Sequence, residues 1–256
     1  SFCFYYKNGG CFKNNKWLYK SNLSSIQKKK IMELAPIIVF GFNRPKALMN
    51  TINSLLTNKE AKDSDLYVFI DGARPEKEGE SNQVKAVQEY VKSIEGFKKI
   101  SYSFSSKNKG LASSIIDGIN SVIYEYGKAI VLEDDLELMP NFLSFMNQGL
   151  IFYENKKDVM SICGHSCKVK VPLDYSYDAY FFTRSSSWGW GTWSNRWSSV
   201  DWHLKDWDSV ERNKKAFIKS QGSDVFKMLK DWKNGKNNSW AIRFCYAQFV
   251  QNKLSV

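Results

Sequence analysis

From Pro36 onward, apolar and polar positions follow two alternating periods. "PIIVFGFNR" (36–44) begins with an unbroken apolar run of strand length. Pro45 then suits the first turn of a helix, where a missing N–H costs no hydrogen bond. In that helix Leu48, Met49, Ile52, Leu55 and Leu56 form one apolar face. "DLYVFIDG" (65–72) predicts a second strand, followed by a polar loop and a helix with Val84, Val87, Val91 and Ile94 on one side. "ISYSFSS" (100–106) alternates as a third strand does, and the next helix carries Leu111, Ile115, Ile116, Ile119, Val122 and Ile123. "AIVLEDD" (129–135) is the fourth strand. Pro140 opens a helix with Phe142, Leu143, Met146 and Leu150, and "DVMSICG" (158–164) is a fifth strand.

Strands alternating with amphipathic helices predict an α/β fold with a mainly parallel sheet and right-handed crossovers. Ligands of such sheets bind outside the carboxyl ends of the strands. Four polar groups fall there: Asn43 with Arg44, Asp71, Asn108 with Lys109, and Glu133 with Asp134 and Asp135. After about residue 165 the periodicity weakens, and eight of the nine tryptophans lie between Trp188 and Trp240. That stretch reads as a smaller half packed against the sheet edge, not as a separate folding unit. The expected organisation is one domain over 31–256, with a ligand half at 31–164 and an aromatic half at 165–256. The abrupt end at "NKLSV" suggests that the second half continues past Val256.

The most informative stretch is "KAIVLEDDLELMPNF" (128–142), where a buried strand empties into Glu133, Asp134 and Asp135, with Glu137 close behind. Carboxylates clustered at a strand end suit a hard divalent cation, which takes oxygen ligands and keeps waters or substrate phosphates. Such an ion would neutralise charge on a diphosphate leaving group. The plainer reading has Glu133 and Asp134 near helix N-termini and Asp135 facing water. Asp71, followed by Gly72, would then only shape a turn. The joint placement of all these groups at one sheet edge favours the site.

"FGFNRP", "FIDGARP", "NKGLASSIIDGI" and "VLEDDLELMPNF" resemble the nucleotide-binding half of GT-A glycosyltransferases, and within them the branch of N-acetylglucosaminyltransferase I. The resemblance implies a GT-A, Rossmann-like fold with a mainly parallel sheet flanked by helices and a smaller acceptor half. It implies a nucleotide-diphosphate sugar donor, uridine by preference, with Mn²⁺ or Mg²⁺ as cofactor. Position by position, Arg44 would contact the nucleotide, with Asn43 beside it. Asp71 would accept from the uracil, and Asn108 and Lys109 would lie near the base or diphosphate. Glu133 would reach the ribose, Asp134 the donor sugar, and Asp135 would ligate the metal.

The aromatic half supplies "SSSWGWGTWSNRW" and, more loosely, "NSWAIRF" to the same resemblance. Tryptophan faces pack on sugar rings and glycine allows close approach, so Trp188, Gly189 and Trp190 are the acceptor-side candidates. Most tryptophans are expected in the core. An inverting transferase needs a base for the acceptor hydroxyl. The resemblance places that acid where this chain has Asn238 and Ser239, neither of which can serve. Asp206, or next Asp201, in "VDWHLKDWD" would supply it from a nearby loop; otherwise the mechanism is retaining, or activity is weak. His203 reads as a loop histidine, and His165, after a strand end, is placed to touch the donor sugar.

Thirty-seven Lys and Arg against twenty-six Asp and Glu leave a net charge of +11, which favours anionic partners. Residues 1–30 are basic and aromatic without a sustained period, a lead-in or the end of a preceding domain; peripheral contact with an anionic membrane is the alternative. No nucleic-acid motif accompanies the charge, so a nucleic acid is not the expected partner. A nucleotidyltransferase would carry a glycine-rich basic loop after the first strand, and "GFNRPKAL" is not one. No apolar run reaches the length of a transmembrane segment and no secretory signal opens the chain. Cys3, Cys11, Cys163, Cys167 and Cys245 are an odd count without a paired zinc spacing, and fit reduced thiols in the cytoplasm, with contact at the inner membrane face. The expected partners are a sugar nucleotide and a glycan or lipid-linked glycan acceptor, in the synthesis of a bacterial surface polysaccharide.

Overall fold

The computed structural model describes residues 33–166, 170, 172 and 174–256; the basic lead-in and Cys3, Cys11 and Cys167 lie outside them. A seven-stranded sheet runs in the order β3-β2-β1-β4-β6-β5-β7. The parallel core is β1 (Ile37–Gly41), β2 (Asp65–Ile70), β3 (Lys99–Phe104) and β4 (Lys128–Glu133). These strands alternate with α1 (Pro45–Leu56), α2 (Glu80–Lys92) and α3 (Leu111–Tyr126). β1 and β4 are buried on both sides, which explains why they read as continuous apolar runs and not as alternation.

The sequence reading places a fifth strand in the sheet, and β5 (Val159–Cys163) forms after α4 (Phe142–Phe152), but not beside β4. An unanticipated strand, β6 (Trp190–Trp193), inserts between them antiparallel to both, pairing Lys128 with Trp193 and Val131 with Trp190. All four of its residues are buried, so no alternation marks it in the sequence. Its polar groups are satisfied internally: the Thr192 hydroxyl donates to the Met160 carbonyl at 2.8 Å and the Trp193 indole to the Leu150 carbonyl at 3.0 Å. β7 (Leu254–Ser255) completes the sheet beside β5.

Helices cover both faces. Leu48, Val84, Leu143 and Met146 pack on one face with Ile37, Val68 and Leu132. On the other, Ile115 and Ile119 join Trp190, Trp197 and the first turns of α9 (Trp240–Val250). A third cluster lies among α6 (Trp207–Arg212), α7 (Lys214–Gln221), α8 (Ser223–Lys233) and α9. The aromatic half therefore divides its tryptophans between sheet cover and a helical satellite. Its remaining helix, α5 (Ser194–Trp197), is a single turn after β6. No helix among the described residues is long and apolar enough to cross a membrane.

The inward face of α1 is narrower than its apolar residues suggest. Met49 and Leu56 are exposed, and Thr51 is fully buried in their stead. The Thr51 hydroxyl donates to the Leu136 carbonyl at 2.8 Å and accepts from the Leu136 N–H at 3.1 Å. Ser54 and Asn58 accept from the N–H groups of Leu138 and Leu143 at 3.0 and 2.9 Å. One polar stripe, Thr51 and Ser54 on α1 with Asn58 just past its end, thus fastens the loop that follows the acids of β4.

Candidate active site

Every donor-side residue singled out from the sequence falls at the carboxyl edge of the parallel strands, but the structure sorts them into three groups. The first is the end of β4. Asp134 is 3% exposed, and Arg44, on the turn between β1 and α1, reaches it with one guanidinium nitrogen. The other nitrogen pairs with Asp135 at 2.9 Å, so one cation spans two adjacent carboxylates. Both Arg44 and Asp135 are about half exposed. The fixed φ of Pro45 and its clash with the preceding residue hold Arg44 in a non-helical conformation, at φ −116° and ψ 75°, as it enters α1.

Asp134 is incompletely paired. Its Oδ2 is buried against Gly41 with no hydrogen-bond partner. Burial raises its pKa despite the opposing hydrogen bond and charge of Arg44. Beside it, burial and the charges of Asp135 and Asp134 push Glu133 up to about 7. These acids crowd together against their repulsion, with Arg44 as the cation between them.

A divalent cation, implied by the family resemblance, meets a suitable donor set here. The cluster offers hard carboxylate oxygens, a half-exposed Asp135, and an orphaned buried oxygen on Asp134 that marks unbalanced charge. Among the described residues no three acidic, histidine or cysteine groups converge as a complete ligand set.

The second group is the end of β2. Asp71 accepts three backbone hydrogen bonds, from Gly72 and Lys109 on Oδ1 and from Gly110 on Oδ2, each at 2.9 Å. It ties the end of β2 to the loop leading into α3. Asn108 completes the tie by donating to the Gly72 carbonyl at 2.8 Å. Gly72 permits the crossing, since a Cβ there would sit 2.4 Å from the Lys107 carbonyl carbon. Of a carboxylate's roughly four acceptor positions, one is left on Asp71 for a ligand. The Lys109 ammonium is half exposed, 3.4 Å from Asp117.

The third group was not foreseen. Glu80, first residue of α2, is buried and accepts from Asn43 at 3.2 Å, from the Arg74 N–H at 2.7 Å and from the Arg74 guanidinium at 2.5 Å. The bonds from Arg74 hold its pKa down at about 2. Arg74 also lies over the Phe42 ring at 5.5 Å. Glu80 therefore positions Asn43 and a second cation on the same rim. Its sequence setting, one acid in "EKEGESNQ", gives no signal for this.

On the aromatic side, Gly189 (φ +68°) lets the chain turn tightly against Phe142 as it enters β6, and its carbonyl accepts from Gly164 at 2.7 Å. Trp188 stands 60% exposed, its ring 4.6 Å from that of His165. Trp190 points the other way: it is 1% exposed, stacked on Trp240 at 5.0 Å and packed on Phe244. Trp190 is a core residue, and of the two tryptophans only Trp188 presents its ring to solvent.

Asp201 and Asp206 serve their own loop. β6 leaves the sheet at the amino-terminal edge, where Ser194 bonds the Gly127 carbonyl, opposite to Glu133. Asp201 accepts from the N–H groups of His203 and Lys205 at 3.0 and 2.8 Å; partial burial opposes ionisation, but these bonds and both charges outweigh it and lower the pKa. Asp206 caps α6 by accepting from the Ser209 N–H at 2.9 Å and pairs with Arg212 at 3.6 Å. Asn238, at the position where the resemblance implies a base, accepts from Arg243 at 3.2 Å just before α9. Cys163 and Cys245 are free thiols whose pKa values burial raises, which favours the neutral form.

Among the solved structures to which the chain is similar are the following two. One is S. aureus TarS, at 14% identity and TM-score 0.37 over 51% of this chain and 21% of that one. The other is the mannosyltransferase PcManGT from Pyrobaculum calidifontis in complex with GDP-Man and Mn²⁺, at 11% identity and TM-score 0.42 over 65% and 49%. The chain thus spans less than half the length of either structure. Among curated proteins no match is found. A sequence model of the GNT-I family, by contrast, matches residues 12–222, a span holding the Arg44 turn, the Asp71 loop, the acidic end of β4 and Trp188; the chain belongs to the GNT-I family of glycosyltransferases.

Proposed function

We infer that this protein transfers a sugar from a uridine-diphosphate donor to a glycan or lipid-linked glycan acceptor in the building of a surface polysaccharide. The observation that carries this reading is the convergence at one strand end of Asp134, Asp135 and the bridging Arg44, within a chain of a glycosyltransferase family. Asp135, half exposed beside Arg44, would hold Mn²⁺ or Mg²⁺. The ion would supply positive charge to a diphosphate leaving group.

The chain's own residues have separable tasks. Arg44 and Lys109 offer cations to the phosphates at an edge otherwise crowded with acids. The remaining lone pair of Asp71 would accept from the uracil imide N–H, a donor that cytosine lacks, and a buried site built for that bond rejects bases without it. Glu133 and Asp134 would bond the ribose and the donor sugar. Trp188, backed by His165, gives the acceptor side an apolar ring on which a sugar face packs. The test is a thermal-shift and calorimetric panel of UDP, CDP, ADP and GDP sugars with and without Mn²⁺. Binding of UDP-sugars that needs the ion and falls at least tenfold in Asp135→Ala is the expected result. Equal UDP affinity in EDTA would remove the metal from the reading, and indifference among the bases would remove Asp71 from it.

One observation favours a second reading, a catalytically weak relative that binds sugar nucleotides. Asn238 stands at the base position with Arg243 already bonded to it. Asn238→Asp would gain an ion pair there and stay ionised. Activity that rises in this variant identifies the natural chain as the weakened form.

A further inference from the structure

We propose that Arg44 is the internal competitor of the divalent cation, so that metal binding to the free protein is weak and the nucleotide diphosphate relieves the competition. The inference rests on the metal site assigned above to Asp135 and concerns what Arg44 does to it. The guanidinium pairs with Asp135 at 2.9 Å and with Asp134 through its other nitrogen. It therefore occupies the ground between the two charges that would attract an ion. A metal on the second oxygen of Asp135 would lie within a few ångströms of that fixed positive charge. Even at the dielectric of water, a unit charge and a divalent ion about 5 Å apart repel enough to change affinity by about tenfold.

Arg44 has somewhere else to go. Its side chain is half exposed, and it springs from the turn ahead of Pro45, not from within the helix. A diphosphate arriving at the same edge offers a fork of oxygens that fits a guanidinium as well as a carboxylate pair does. Once Arg44 turns to the phosphates, Asp135 is released, and the ion meets both the freed carboxylate and the phosphate oxygens. Metal and nucleotide then help one another to bind through a single swinging side chain, and by linkage the assistance is mutual.

The experiment is titration of Mn²⁺ alone into the full chain, followed by calorimetry and by the electron-spin signal of the free ion, without nucleotide. Arg44→Met should tighten Mn²⁺ at least about tenfold, and Arg44→Lys, which keeps the charge, should stay near the wild type. With UDP saturating, the advantage of Arg44→Met over the wild type should shrink to within about threefold. Mn²⁺ affinity that is unchanged or weaker in Arg44→Met overturns the proposal and makes Arg44 a support for the ligand instead. Asp135→Ala separates the two levels. Loss of Mn²⁺ binding there upholds the site while leaving the Arg44 comparison to decide the competition; unaltered binding overturns both. Native thermal unfolding of each variant guards against misfolding, and Arg44→Gln, which also removes the charge, carries the same expectation of tighter Mn²⁺ if the Met variant does not fold.

Discussion

Two buried aspartates stand at the ends of β2 and β4, on either side of β1, and are treated in opposite ways. Asp71 receives three backbone N–H groups and makes a fixed joint between β2 and the α3 loop. Asp134 receives one half-exposed cation and a single backbone hydrogen bond from Phe42, and its buried Oδ2 has no partner. The first arrangement satisfies its own charge and gains rigidity. The second leaves charge unbalanced, which stabilises nothing by itself but prepares the edge for a ligand. Burial alone does not distinguish an acid satisfied by main chain from one left partly unpaired; the source of its hydrogen bonds does.

The largest effect should come from Asp71→Ala. It would leave three N–H groups in or near the interior without acceptors, at a cost of about 3–5 kcal/mol in urea unfolding. A loss below about 1 kcal/mol would mean that the joint is dispensable. Gly72→Ala follows at about 2–3 kcal/mol, because its Cβ would meet main chain, which cannot turn aside as a side chain would.

Next comes pH. The folded pKa of Glu133 lies near 7, above its unfolded value, so the folded state binds the proton more tightly. Its contribution is full below about 4.5, declines as pH rises, and is lost above about 7, by on the order of 2 kcal/mol. Glu80 acts in another window. Its pKa of about 2 gives stability present above the unfolded value and lost as pH falls toward 2. Chemical denaturation in EDTA across this range should therefore show a decline from pH 4.5 to 7 that disappears in Glu133→Gln.

Asp206→Ala should cost about 1 kcal/mol through the lost helix cap, and Asp206→Asn almost nothing, since Asn caps as well. Turnover should survive in the Asn variant; a drop of a hundredfold would make Asp206 the acceptor base. The smallest effect on stability should be that of Asp134→Asn, within about 1 kcal/mol. There the lost ion pair is offset by relief of a buried, half-satisfied charge. A destabilisation as large as that of Asp71→Ala would erase the contrast between the two strand ends.

The parallel half was legible in the sequence because each of its elements carries its own period. β1 and β4 are apolar runs, α2 repeats Val84, Val87 and Val91, and the donor-side residues fall where strands must end. The aromatic half was not, and β6 shows why. Trp190 to Trp193 is a strand because two other strands hold it on either side, and its burial on both faces hides the alternation. Thr51 was missed for a related reason: its inward position depends on the loop at Leu136, 85 residues away. Glu80 likewise depends on Asn43, 37 residues away, whereas the cap at Asp206 rests on Ser209 three residues on and was open to a local reading.

The polar stripe of α1 has a mechanical consequence. The helix starts just after Arg44 and, through Thr51 and Ser54 within it and Asn58 just past its end, also holds the chain from Leu136 to Leu143. Cation and acidic loop are therefore mounted on one body, and any rocking of α1 against the sheet carries both together. Their spacing is insulated from the commonest thermal motion of a layered fold. Amide hydrogen exchange should register this as a single cooperative unit, with Leu136, Leu138 and Leu143 opening in step with the interior of α1. A Thr51→Val change would split that unit, letting the loop exchange faster while α1 keeps its protection.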